Sequence, residues 1–291
     1  MNTLLQTLIS GLMIGAVYGL IALGFTIVYN ATRVVNFAHG EFVMMGGVLS
    51  TWLLTAHDFP LPIAVLAAIG LVTILGILLD RVALRSARHQ DPLTLMMITI
   101  GMAVGFRGLM QVVVGRDVIF LEPFGGIPTI IFGEVFIPSQ GLWIFLLLLL
   151  CSVVLYFLFA HTKIGKAMRA ASENKRAAAL CGINPPTMSA LSFAIAAALG
   201  ALAGAAVAPI SAAFYEYGLF FGLKGFAAAI LGGLGNPLGA VVGGLAIGLL
   251  ESVTAGYISS AFKDGVALVV LILLLLVRPS GLLGQAEIKR V

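Results

Sequence analysis

Charge is what this chain lacks most: of 291 residues, 16 are Lys or Arg and 12 are Asp or Glu. With 60% hydrophobic residues and a mean hydropathy of +1.12, it has too little polar surface to coat a soluble fold of this length. Cysteine is scarcer still. Cys151 lies in an apolar run and Cys181 in a basic segment, contexts too different for a disulfide, and no Cys/His cluster has metal-ligand spacing. Redox chemistry and a metal site are therefore not expected. No phosphate-cradling Gly-x-x-x-x-Gly-Lys-Ser/Thr occurs, since Gly165-Lys166 is followed by Ala167 and lacks the upstream glycine. A constellation of catalytic side chains is absent too, which argues against a membrane enzyme. The formal charge of +4 follows from loop asymmetry and implies no nucleic-acid partner.

What the chain does have is long uncharged apolar runs. Crossing about 30 Å of hydrocarbon takes about 20 mainly apolar residues as a helix, because a helix satisfies its own backbone there. Residues 4–29 carry no charge, and Met1-Asn2-Thr3 offers neither the basic region nor the small-residue cleavage site of a signal peptide, so the run reads as a retained span. Further spans are expected at 42–56, 61–79, 93–114, 141–160, 187–209, 218–235, 238–256 and 259–277. The fold class is all-α polytopic membrane protein, with eight or nine transmembrane helices in one domain over residues 1–291. The runs at 42–56, 218–235 and 259–277 are short or carry a charge, and are candidates for half-helices or re-entrant pieces.

Lys and Arg in short loops set the orientation. Arg81, Arg85 and Arg88 mark one loop, Lys163, Lys166, Arg169, Lys175 and Arg176 another, and Arg278, Lys289 and Arg290 the C-terminus; all three are expected on the cytoplasmic side. The 115–140 loop carries Asp117, Glu122 and Glu134 against Arg116, reads as a small hairpin around Gly125-Gly126, and belongs outside. Nine crossings satisfy these assignments if the N-terminus is external and residues 218–256 cross twice, turning at Gly235-Asn236-Pro237. An internal echo supports this, because a polar turn precedes a Gly-rich span at 36–40 with Gly46-Gly47 and again at 235–237 with Gly243-Gly244.

The largest polar interruption, residues 161–186, combines strong helix formers and basic charge over Ala167–Cys181, ended by Gly182 and Pro185-Pro186. Charge alone would suit a helix lying on anionic lipid headgroups. Ala170, Ala171, Ala177, Ala178 and Ala179 instead give a small-residue face suited to close approach by another protein.

Here a resemblance becomes specific. Arg176-Ala177-Ala178, three residues, then Gly182 resembles the cytoplasmic coupling motif of ABC importer permeases, although Arg176 stands where the general motif has Glu and the apolar-Leu-Pro ending is missing. The run Gly165–Gly204, the stretch Val34–Glu41 and the stretch Leu231–Ala240 are similar to permeases of branched-chain amino acid importers, the LivH type. The resemblance implies a permease subunit in a bacterial cytoplasmic (inner) membrane, with its C-terminus inside. It would form the path for branched-chain or other small amino acids with a second permease, expected to be a different, LivM-type chain. Two ATPase subunits would carry ATP and Mg, and an extracytoplasmic binding protein would deliver substrate; this chain would bind no cofactor and hydrolyse nothing. Gly165, Arg169, Glu173, Arg176, Ala177, Ala178 and Gly182 become the expected ATPase-coupling residues. Urea or short amides as substrates, or a secondary transporter or channel without an ATPase, are the alternatives; the latter would want paired intramembrane carboxylates or cation sites, of which this chain has few.

Asn36, His39 and Glu41 form the densest polar group beside an apolar span. They are either a solvated turn whose Asn and Gly cap helices or a turn that dips toward the pathway as a gate, since a carboxylate at membrane depth is costly unless it faces water or a partner. Arg107, inside an apolar span, should snorkel outward, pair with Asp117 or Glu122, or line a polar cavity. Lys224 and Glu251 pose the same question. Gly232, Gly233, Gly235, Gly239 and Gly243, continued by Gly244 and Gly248, recur about every four residues and read as small residues on one helical face for close packing.

Overall fold

The computed structural model describes residues 2–88, 91–125, 129–132 and 135–284. Its helices are α1 (Asn2–Thr32), α2 (His39–His57), α3 (Leu61–Leu78), α4 (Pro92–Val113), α5 (Ser139–His161), α6 (Lys163–Glu173), α7 (Lys175–Leu180), α8 (Pro185–Ser211), α9 (Tyr217–Gly232), α10 (Pro237–Tyr257) and α11 (Lys263–Val277). A π-helical turn, Leu79–Leu84, extends α3, and β1 (Thr129–Phe132) pairs antiparallel with β2 (Val135–Pro138), with Thr129 opposite Pro138. The hairpin thus lies beyond Gly125, not around it. Gly126, Glu134, Lys289 and Arg290 lie outside the described residues.

Among the described residues, seven helices are long and apolar enough to cross a membrane: α1, α3 with its π turn, α4, α5, α8, α10, and α11 with the turn before it. The expected spans at 42–56 and 218–235 correspond to α2 and α9. Neither meets that standard, and α9, at 16 residues, is about 24 Å long against about 30 Å of hydrocarbon.

Two ends of the bundle are marked by contacts. At one end Gln6, near the start of α1, donates to the Phe136 carbonyl of the hairpin at 2.8 Å, and Ile119 bridges Ala213. At the other, Arg33 pairs with Glu173 at 3.0 Å, Asn30 donates to the Gly235 carbonyl, and Asn236 donates to the Leu283 carbonyl. The end of α1, the 161–186 segment, the α9–α10 turn and the tail after α11 therefore share one side, and the start of α1 and the hairpin lie on the opposite side. The π turn joins that first group through Asp80, which pairs with Arg85 at 2.9 Å and accepts from Ser189, while Arg85 donates to the Pro186 carbonyl.

α1 and α8 are the buried centre, and α3, α4, α5 and α11 present mostly exposed apolar surface. Lipid tails supply no hydrophobic drive between helices, so close backbone contact through small residues does the packing. Gly46 of α2 lies against Ala201 of α8, and Gly204 of α8 lies against Val43 and Gly47. The α10 glycines divide between two faces: Gly239 and Gly243 meet Gly232 and Ala228 of α9, whereas Gly244 and Gly248 meet Gly15, Gly19 and Gly11 of α1. The single stripe expected from the sequence is two contact surfaces. Gly233 and Gly235 belong to neither; both take positive φ, 105° and 96°, in the α9–α10 turn, and Gly233 packs on Gly284.

Gly204→Leu drives a side chain into the Val43 carbonyl, and overpacking of this kind costs about 3 kcal/mol or more. Gly70→Leu, on α3 where a Cβ meets open space, is expected to be tolerated. Size-exclusion profiles and thermal melts of the solubilised chain check the pair: Gly204→Leu loses the monodisperse peak or melts well below the unaltered protein, and Gly70→Leu matches it.

Candidate functional site

After Thr32 the chain does not leave the bundle. Arg33 adopts left-handed backbone (φ 59°) and residues 34–38 turn back inward. Asn36 is 1% exposed, and its Oδ1 accepts from the Ala38 amide at 3.0 Å; the Phe37 amide donates to Thr99 Oγ1 of α4. His39 is fully enclosed. Its ring lies edge-on to Phe25 at 4.7 Å, with Nε2 3.1 Å from the Ile21 carbonyl, and it abuts Gly24 of α1 and Gly200 of α8. Gly24 lies about 12 Å from the end of α1 by helical rise, so α2 starts well inside the bundle. The solvated-turn reading of Asn36, His39 and Glu41 is excluded by this burial.

A second helix starts beside it. Tyr217, in the first turn of α9, donates from its hydroxyl to the Val43 carbonyl at 3.2 Å, and Gly218 and Gly222 approach Gly40 so closely that a Cβ on any of the three would meet backbone. The N-terminal turns of α2 and α9 therefore converge, and neither receives a side-chain cap.

Glu41, 2% exposed, sits at this convergence and pairs with Arg107 of α4 through Oε1 and Nη2 at 2.5 Å. Arg107 neither snorkels outward nor pairs with Asp117 or Glu122. Glu41 Oε2 and Arg107 Nε have no hydrogen-bond partner among the described residues. Both side chains line a cavity of about 320 Å³ between α2, α4 and α9.

A separate polar cluster joins α1, α9, α10 and α11. Lys224 Nζ lies 3.0 Å from Glu251 and 2.7 Å from Asp264, and donates to the Tyr18 hydroxyl, which donates to Glu251 at 2.7 Å. Lys224 and Glu251, isolated charges in the sequence, are partners.

The 161–186 segment is not one helix. Asn174 takes extended backbone and caps a new helix, its Oδ1 accepting from the amides of Arg176 and Ala177, so α6 and α7 are distinct. Of the seven expected coupling residues, Gly165 and Ala178 are buried against the bundle, and Arg169 and Glu173, both exposed, reach back to it. Gly165 packs on Leu158 and Phe159 of α5, Arg169 donates to the Phe159 carbonyl, Glu173 holds Arg33, and Ala178 is buried, as is Ala171. The alanine face therefore serves partly for attachment. Arg176, Ala177 and Gly182 are exposed, and Gly182 closes α7 in left-handed backbone (φ 80°) with Ile183 donating to the Ala178 carbonyl. Leu180, which the sequence did not single out, stands 89% exposed beside them.

Residues 7–275 match the family described as branched-chain amino acid transport system / permease component. The chain belongs to this family. Among curated relatives of the permease, the high-affinity branched-chain amino acid transport system permease protein LivH of Escherichia coli is 34% identical, over 99% of the permease and 97% of LivH. BraD of Pseudomonas aeruginosa, a permease protein of the same description, is also 34% identical, over 99% and 98%. A probable branched-chain amino acid transport permease protein LivH of Methanocaldococcus jannaschii is 30% identical, over 91% and 88%. In fold, the permease is similar to a chain of PsaBC from Streptococcus pneumoniae in complex with Fab, at a TM-score of 0.51 and 11% identity, over 96% of the permease and 93% of that chain.

Removing one member of a buried ion pair strands the other, at a cost of about 3 kcal/mol or more when both are enclosed; the partial exposure of Arg107, 27%, reduces that. Glu41→Ala is expected to lower the thermal midpoint of the purified permease by several degrees. The double variant Glu41→Gln with Arg107→Met, which strands no charge, should recover most of the loss. A double variant melting lower than the single one would show the pair is not the source.

Proposed function

We propose that the permease is the membrane subunit of an ATP-driven importer in a bacterial cytoplasmic membrane, passing branched-chain or similar small apolar amino acids. Family membership supports the importer reading, and the observation that carries the coupling role is the outer surface of α7: Arg176, Ala177, Leu180 and Gly182 stand exposed at the end of the bundle, while Gly165, Arg169, Glu173 and Ala178 anchor the segment behind them. A large apolar side chain so exposed beside basic residues suits a protein cleft. An ATPase subunit that binds ATP and Mg is the proposed occupant, and its closure would move α6 and α7 together.

Arg81, Arg85, the lysines and arginines of 161–186 and Arg278 gather at this end, which supports a cytoplasmic position for it by the distribution of basic loops; the N-terminus and hairpin would then face outward, where a binding protein would deliver substrate. A second permease, expected to be a LivM-type chain, would close the pathway. Within it Glu41 lines the path, and Asn36 and His39 fix the re-entrant turn that presents it.

Leu180→Glu tests the reading. Leu180 contributes nothing to the interior, so the variant is expected to express and melt like the unaltered permease. Copurification of ATPase subunits with the tagged chain should fall to background. ATPase retained by Leu180→Glu would rule out α7 as the docking surface, and no ATPase with either protein would rule out the importer reading.

A further inference from the structure

We infer that the cavity bounded by Glu41 and Arg107 is a transit site for an α-amino acid zwitterion with an apolar side chain, an inference that rests on the importer reading above. The argument begins with charge. Glu41 and Arg107 cancel each other, and each keeps an unpartnered buried polar atom, Oε2 and Nε. A ligand with one positive and one negative group a few bonds apart leaves neither residue stranded, because its ammonium meets Glu41 Oε2 while its carboxylate meets Arg107. A simple anion or cation would leave one residue uncompensated at membrane depth, which is costly.

The helix termini add a direction. Gly40 and Gly218, in the first turns of α2 and α9, both line the cavity. The positive ends of two helix dipoles thus meet at Glu41, itself in the first turn of α2, and favour the carboxylate that the ligand's ammonium would meet. Glycine at these positions keeps the approach open, since a Cβ on Gly218 would contact Glu41 Oε2.

The remaining wall fixes the rest of the ligand. Phe25, Phe37, Phe226, Ile100, Ala103 and Val104 supply only hydrocarbon. A small aliphatic side chain gains by leaving water against such a wall, whereas urea or a short amide would leave it unused. A cavity of about 320 Å³ is at the small end of ligand pockets.

The experiment uses the full-length permease in lipid nanodiscs with whatever subunits copurify, and no binding protein. Equilibrium binding of labelled L-leucine is competed with leucinamide, which lacks the carboxylate, with 4-methylpentanoate, which lacks the ammonium, and with urea. The expected result is saturable leucine binding, both analogues about tenfold or more weaker, and no competition by urea. Glu41→Gln should remove the preference for leucine over 4-methylpentanoate, and Arg107→Gln the preference over leucinamide. Should either variant fail to fold, the analogue series on the unaltered chain decides alone. Absence of saturable leucine binding, or equal competition by either analogue or by urea, overturns the inference. Labelled-leucine uptake in cells separates the two levels: no ATP-dependent uptake with the unaltered chain sinks the importer reading, whereas normal uptake together with indifferent competition sinks only the transit site.

Discussion

A polypeptide that begins a helix in the middle of a membrane must hide the turn leading to it, because no water is there to satisfy its backbone. Everything around residues 33–38 follows from that requirement. Asn36 turns its side chain onto the Ala38 amide, Thr99 of a neighbouring helix takes the Phe37 amide, and the His39 ring fills the space that Gly24 and Gly200 leave open. Enclosure of this kind needs helices closer together than large side chains permit. The runs of glycine and alanine on α1, α2, α8 and α10 are the means, and the outer helices carry Leu, Ile and Phe on faces that no neighbouring helix approaches so closely.

The same enclosure decides what becomes of charge. The carboxylate at the first turn of α2 is buried, and it pairs with Arg107 of α4. Lys224, with Glu251 and Asp264, repeats the arrangement between α9, α10 and α11. The two clusters differ in what is left over. Lys224 is surrounded by acceptors, whereas the Glu41–Arg107 pair retains unused polar atoms beside a void.

Span positions were legible because hydropathy is a local property: seven of the nine expected segments are long apolar helices, and the two that fall short, α2 and α9, are among those marked by a charge or short length. Other features depend on distance in space. Arg107 and Glu41 share no periodicity, and the one hint was that each was an isolated charge near an apolar run, so that each needed a partner somewhere. Asn174 lies inside the Ala167–Cys181 run of helix formers, where a single Asn costs a helix little; its extended backbone and double capping bond, seen only in three dimensions, make it a boundary. The prominence of Leu180 was hidden for the opposite reason, since leucine in an alanine-rich helix reads as interior until the inward face is known. Gly218 and Gly222 had the spacing of packing residues, but nothing in the sequence said that their partner was Gly40.

The turn between α1 and α2 also sets a mechanical limit. From Thr32 to His39 the backbone could reach roughly 24 Å if drawn straight, yet the depth it covers is about 12 Å. The connection is a slack tether, so a shift of α2 along or across α1 would not have to unwind either helix. What restrains such a shift is the interlock of side chains, and interlocks of small residues have low relief: a glycine surface sliding past backbone has fewer knobs to lift out of holes than a leucine surface would. The element that carries Glu41 is thus held by contact, not by chain length.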